Sequence, residues 1–198
     1  QTGGAGQFGE VFLRIEPLPR GAGFEFVDEV RGGAIPGNFM PAVEKGVRQA
    51  MEQGVIAGYP VVDLKVTVYD GKHHTVDSKE IAFVTAGRKA LVDAVQAARP
   101  CILEPIVDME IGATEQTLGD ITGDLASRRG QVGGTRSSAD GMLTVLAKAP
   151  LSELSSYQTR LNSLTGGQGH YTLAFSHYEP VPPNVQAQLA AQYRPKDE

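Results

Sequence analysis

Glycines, paired histidines, paired arginines and a lone cysteine are the residues whose types and spacing could carry chemistry in this chain. The stretch "GAGQFG", Gly4 to Gly9, satisfies the G-x-G-x-x-G pattern of a dinucleotide-binding turn. Such a turn needs a strand before it and a helix after it, because the free amides of the helix N-terminus hold the pyrophosphate. Only Gln1 to Gly3 precede it, and the next residues set Val11, Leu13 and Ile15 against Phe12, Arg14 and Glu16, a strand period. The glycines therefore read as a flexible lead-in rather than a cofactor cradle. The P-loop pattern G-x-x-x-x-G-K-S/T is absent from the sequence.

His73 and His74 follow Lys72 in the polar stretch "DGKHHTVDS". By residue type alone they are solvated side chains, or part of a metal site for which no third ligand stands at helical or loop spacing. Arg128 and Arg129 precede Gly130 at the end of a helical stripe, where cations meet the negative end of the macrodipole; a structural and a ligand-facing role both fit. Cys101 cannot form an internal disulfide, which suits a reducing compartment, and it reads as a small core residue without a catalytic role.

The elements that must position these groups are legible from periodicity. With 198 residues, 41% of them apolar, the chain suffices for one large or two small domains. No apolar run is long enough to cross a bilayer and no secretory pattern opens the chain, so a cytoplasmic location is expected. Starting at Gln1, the chain reads as a piece of a longer protein. Its net charge of −5 disfavours broad polyanion binding, so any nucleic-acid contact must come from local basic loops.

Phe24 and Phe26 mark a second strand, expected to pair with the first as a hairpin through the Gly21 to Gly23 turn. Met40, Val43, Val47, Ala50 and Met51 give a helix capped by Asn38 and ended by Gly54. Val62, Leu64, Val66 and Val68 alternate with Asp63, Lys65, Thr67 and Tyr69, predicting a strand with a solvated polar face, closed by an Asp70-Gly71 turn. Asp77 and Glu80 resemble a capping box for a helix with the stripe Ile81, Val84, Leu91, Val95 and Ala98. Residues 1 to 98 thus read ββαβα.

Beyond Pro100 the order is strand (104 to 111), helix (Leu118, Ile121, Leu125), strand (131 to 136), Asp140-Gly141 turn and strand (142 to 148). A helix (Leu151, Leu154, Tyr157, Leu161) and a strand (Tyr171, Leu173, Phe175) complete βαββαβ, the ferredoxin-like order. "EPVPPN" is a stiff linker to a short final helix with Val185, Leu189 and Tyr193 on one stripe, which must dock on a domain to persist. The fold class is α+β.

The blocks "QTGGAGQFG", "GGAIPGNFMPAVEKG", "AGYPVVDLKVTVYDGKHHTVDS", "GDLASRRGQV" and "SLTGGQGHYTLAFSHYEPVP" resemble bacterial elongation factor G, in order and over most of the chain. The resemblance lies in that family's domains IV and V. It implies that residues 1 to 98 form domain IV, with a left-handed βαβ crossover and with residues 179 to 198 returning onto it as a helix, and that residues 99 to 178 form the ferredoxin-like domain V.

It further implies a ribosome-binding arm of a translational GTPase that promotes movement of tRNA and mRNA, with tip loops entering the small-subunit decoding centre. GTP and magnesium would belong to an N-terminal domain of the parent; none is expected in this fragment, nor is a metal, a membrane or an oligomeric partner. The RNA-contacting positions it indicates are Arg31, Gly32, Gly33, Ile35, Pro36, Gly37 and Asn38 in one loop and Lys72, His73 and His74 in the other. Arg128 and Arg129 would meet large-subunit rRNA. Departures are Gly37 and Asn38 where a basic and an acidic residue are frequent, Ala126 for asparagine, and Gly167 and Gln168 for glutamine and arginine. Each removes charge or hydrogen-bonding capacity facing RNA, so a ribosome-protection or ribosome-recycling factor of the same superfamily is the alternative.

Overall fold

The computed structural model describes residues 6–195; Gly4 of the opening glycine pattern lies outside them. The chain forms two compact units, one of Gln1–Cys101 together with Pro183–Glu198 and a second of Ile102–Pro182.

The first unit contains β1 (Glu10–Pro17), β2 (Phe24–Asp28), α1 (Met40–Gln53), β3 (Leu64–Lys72) and α2 (Glu80–Ala97), and α5 (Pro183–Gln192) joins it. The predicted hairpin does not form. The sheet order is β1-β3-β2, with β1 antiparallel and β2 parallel to β3. Local alternation is identical for a hairpin and for two strands separated by a third; the middle place goes to β3 because Leu64, Val66 and Val68 are its most apolar row, and all are buried.

The centre of the sheet also changes the fate of the polar row of β3. Thr67 is fully buried, with Arg14 of β1 and Val27 of β2 as its cross-strand neighbours, and the Arg14 guanidinium spans β3 to meet Glu29 at 2.7 Å. Asp63 is buried as well, accepting hydrogen bonds from the amides of Gly21 (3.1 Å) and Gly23 (2.9 Å).

Helices α1 and α2 cover the opposite face of this sheet. Phe83 of α2 is fully buried and stacks on Phe39 with centroids 4.7 Å apart, within a cluster that includes Val43 and Val68. Such a side chain contributes about 1.5–3 kcal/mol on burial. The expected stripe shifts by this residue: Ile81 is exposed, as is Ala98, and Phe83, Val84, Leu91 and Val95 face the core. The helices touch backbone to backbone. The Val84 carbonyl abuts Gly46, and a Cβ on Gly87 would come within 2.6 Å of the Val43 oxygen.

Neither helix start follows its predicted cap. Asn38 lies inside a 3-10 turn, Gly37–Phe39, and Phe39 precedes α1 without a side-chain cap. Lys79, not Asp77, precedes α2. Gly54 does end α1, with φ 75°.

In the second unit β4 (Leu103–Ala113), α3 (Leu118–Ser127), β5 (Gln131–Ser137), β6 (Leu143–Pro150), α4 (Tyr157–Thr165) and β7 (Tyr171–Pro180) make an antiparallel sheet of order β5-β6-β4-β7. This is the ferredoxin-like arrangement the element order predicts. Val107, Met109 and Ile111 of β4 pack against Ile121 and Leu125 of α3 and Leu161 of α4. The expected helix over 151 to 161 is interrupted: a 3-10 turn, Leu151–Leu154, is followed by Ser156 at φ 59° before α4 begins.

Helix α5 has no buried residue of its own but docks through Gln186, whose amide donates to the Pro100 carbonyl at 3.2 Å, and Tyr193, whose ring lies against Gly58. Cys101 is exposed, so it is not the core residue its type suggested. No helix among the described residues is long and apolar enough to cross a membrane.

Candidate nucleic-acid interface

Two parallel neighbouring strands deliver their C-terminal ends to the same edge of a sheet. Because β2 and β3 run parallel, the loops after them emerge together. The first loop turns at Arg31–Ala34, where the Ala34 amide donates back to the Arg31 carbonyl (3.4 Å) and Gly32 and Gly33 both adopt positive φ, 64° and 71°. Side chains with a Cβ rarely take two such residues in succession, which accounts for the glycine pair.

The second loop begins later than predicted. Asp70 and Gly71 do not turn; they continue β3, opposite Phe12 and Val11 of β1, across a bulge between Phe12 and Leu13. Gly71 is needed there for space: a Cβ would reach within 2.5 Å of Ile35 Cδ1 and collide with the Glu10 carbonyl. The turn itself is His74–Ser78. The Ser78 amide donates to the His74 carbonyl (3.0 Å), and the His74 amide donates to the Ser78 hydroxyl (2.7 Å).

Two contacts join the loops. His73 Nδ1 donates to the Ala34 carbonyl at 3.1 Å, and Ile35 tucks beneath the first loop against Gly71. Ile35 is 3% exposed and belongs to the core cluster, so the expectation that it touches RNA gives way to an anchoring role. Arg31, Gly32, Gly33, Gly37, Asn38, Lys72, His73 and His74 are exposed, and Pro36 is half-buried. Lys72 lies 3.8 Å from Glu10, a solvated pair contributing little.

A third segment joins this edge. The Phe8 amide donates to the Asp77 carbonyl (3.0 Å), and the Ser78 hydroxyl donates to the Phe8 carbonyl (2.9 Å). Gly6 to Gly9 therefore line the second loop, a placement no local sequence period could reveal. The glycines are small for a reason legible only in three dimensions: a Cβ on Gly6 would meet the Asp77 carboxyl at 2.8 Å. They lead into a strand, not into the helix a dinucleotide turn needs.

Arg128 and Arg129 belong to the other unit and are engaged within it. The Arg128 guanidinium pairs with Asp124 (3.0 Å), donates to the Glu153 carbonyl (2.7 Å) and lies over the Tyr157 ring. Arg129 grips Glu104 with two bonds, 2.6 and 3.0 Å, and reaches Glu153 at 3.1 Å; these hydrogen bonds, to Glu104 first, raise its pKa further above the ordinary arginine range. They close a Schellman turn after α3, with the Gly130 amide bonded to the Leu125 carbonyl and Arg129 at φ 56°. Both guanidinium groups are thus engaged within the fold, while 19% of the Arg128 side chain and 31% of the Arg129 side chain stay exposed. Among the described residues no three His, Cys, Asp or Glu side chains gather as a metal site.

Known families account for nearly the whole chain. Residues 1–99 match the family Elongation factor G, domain IV, and residues 101–189 match Elongation factor G C-terminus. The chain belongs to the elongation factor G family. Among its relatives are the elongation factor G-like protein of Thermotoga maritima, 47% identical over 194 residues, and the elongation factor G of Aquifex pyrophilus, 50% identical over 190. These alignments cover 98% and 96% of this chain but 28% and 27% of the relatives, so it spans little more than a quarter of their length. A crystal structure from Thermus thermophilus superposes with a TM-score of 0.77 at 40% identity, over 97% of this chain and 28% of that one. In elongation factor G terms, both loops and the glycine segment fall in the domain IV match, and the arginine pair in the C-terminal match.

Proposed function

We propose that this chain is the ribosome-binding C-terminal part of a translational GTPase, and that the joined loops after β2 and β3 are its working end. In this reading the parent binds GTP and magnesium in a domain upstream, and the tip enters the small-subunit decoding centre beside the tRNA-mRNA duplex as the two advance by a codon. The observation that carries it is the convergence of Arg31–Asn38 and Lys72–His74 at one edge, latched by His73 and floored by the buried Ile35. Glycine backbone and outward imidazoles suit contacts to sugar and phosphate, which ignore base sequence, as a duplex that changes every cycle requires. Toeprinting of ribosomal complexes with the full-length parent tests it: the mRNA is expected to advance one codon with GTP, and substitution of His74 by Ala is expected to slow that step. An unmoved toeprint with the unsubstituted parent refutes it.

The uncharged Gly37 and Asn38 at the exposed start of the 3-10 turn favour the alternative of a ribosome-protection or recycling factor. Subunit splitting in the presence of recycling factor, or rescue of translation from tetracycline, with no toeprint shift, would select that reading.

A further inference from the structure

As neutral rings the two adjacent histidines are held in opposite tautomers. Against a carbonyl, His73 Nδ1 must carry the proton, so in the neutral ring its Nε2 is a bare acceptor. His74 is the reverse. Its Nδ1 accepts from the amides of Val76 (3.4 Å) and Asp77 (3.3 Å), so the neutral ring carries its proton on Nε2. The Asp77 carboxylate also lies 3.3 Å from this Nδ1, but a proton there would face both amide donors, so the amides set the neutral tautomer. Neither Nε2 has a partner among the described residues, and both rings are exposed. Hence, with both rings neutral, the tip offers one acceptor at His73 and one donor at His74.

A phosphate can only accept. It satisfies His74 and leaves His73 with nothing to bind. The group that donates as well as accepts, and that recurs at every nucleotide whatever the base, is the ribose 2′-hydroxyl. Building on the ribosomal reading above, we infer that His73 is a ribose-reading residue: its Nε2 accepts from a 2′-hydroxyl of the duplex at the tip, while His74 donates to a hydroxyl or phosphate oxygen. The latch to Ala34 is what makes this possible, because it fixes the tautomer as well as the ring.

The test uses this chain and programmed small-subunit complexes whose codon at the tip is all-ribose or 2′-O-methylated, a change that keeps the oxygen and removes its proton. The all-ribose complex is expected to bind about fivefold more tightly, the worth of one neutral hydrogen bond. His73→Phe should abolish that ratio, whereas His74→Phe should weaken both complexes and preserve it. Long-range proton-nitrogen correlation on the free chain should place the neutral His73 proton on Nδ1 and that of His74 on Nε2. Equal binding of the two complexes, or the opposite His73 tautomer, overturns the inference while leaving the ribosomal reading intact. Absence of binding to either complex overturns both.

Discussion

The contact between α1 and α2 sets a measurable limit on what the first unit tolerates. Gly46→Ala adds one methyl group directly against the Val84 carbonyl oxygen, well inside contact distance, with the Val84 carbon at 2.8 Å and the Arg88 nitrogen at 2.9 Å. All three neighbours are backbone of α2, so no side chain can swing aside; the helix itself must move. Overpacking of this kind costs about 1–3 kcal/mol, and rigid backbone on every side puts this site near the upper end. Replacing glycine by alanine inside a helix returns about 1 kcal/mol of propensity. The balance is a loss of about 2 kcal/mol. For a unit of this size that is a fall of about 8–15 °C in the melting transition. Gly123→Ala in α3 is the matched control: nothing lies within 4 Å of its added Cβ, so only the propensity gain remains and the second unit should be stabilised by up to ~1 kcal/mol. Thermal unfolding followed by circular dichroism reads both. A Gly46→Ala protein as stable as the parent would refute the close approach of the two helices.

Individual side chains give further expected outcomes. The amides of Gly23 and Gly21, with Arg20, hold the Asp63 carboxyl below its ordinary pKa, so its contribution to stability is fully present above about pH 4 and is lost as pH falls through the depressed native value. Acid unfolding of Asp63→Asn should accordingly begin from a lower stability and show a shallower acid limb; an unchanged acid limb would contradict this. Arg129→Met strands the buried Glu104 carboxylate and should cost about 1–3 kcal/mol in denaturant titrations; an unchanged midpoint would contradict this. Tyr157 is buried, its hydroxyl has no hydrogen-bond partner among the described residues, and burial pushes its pKa up to about 12; Tyr157→Phe should leave stability unchanged or raise it by up to ~1 kcal/mol, and a clear loss of stability would reveal a bound water at the hydroxyl.

Short-range patterns announced most elements, because each depends on which face of a single helix or strand is apolar. The apolar rows of α1 and α3, and Leu64, Val66 and Val68 of β3, needed nothing more. Partnership is what a local pattern could not convey. The first two strands look like a hairpin, yet β2 finds its partner only after α1 has carried the chain back alongside it as β3. Two residues with strong local signatures were also claimed by distant neighbours. Gly71 makes room for Ile35 rather than for a turn, and Asp77 receives the Phe8 amide and faces His74 rather than capping α2. The loops of the candidate interface were legible from motif blocks, but the latch between His73 and Ala34, thirty-nine residues apart, and the docking of the opening glycine segment have no signal along the chain. Ile35 was misplaced for a related reason: a lone apolar residue in a glycine-rich loop is as readily a floor as a contact.

That floor bears on how the working end meets its partner. A loop with one side chain sunk in the core, its neighbour strand pressed against it and a ring bonded across its span has already surrendered most of its conformational freedom during folding. Little entropy is left to lose on engagement, so weak, sequence-indifferent contacts suffice to hold it.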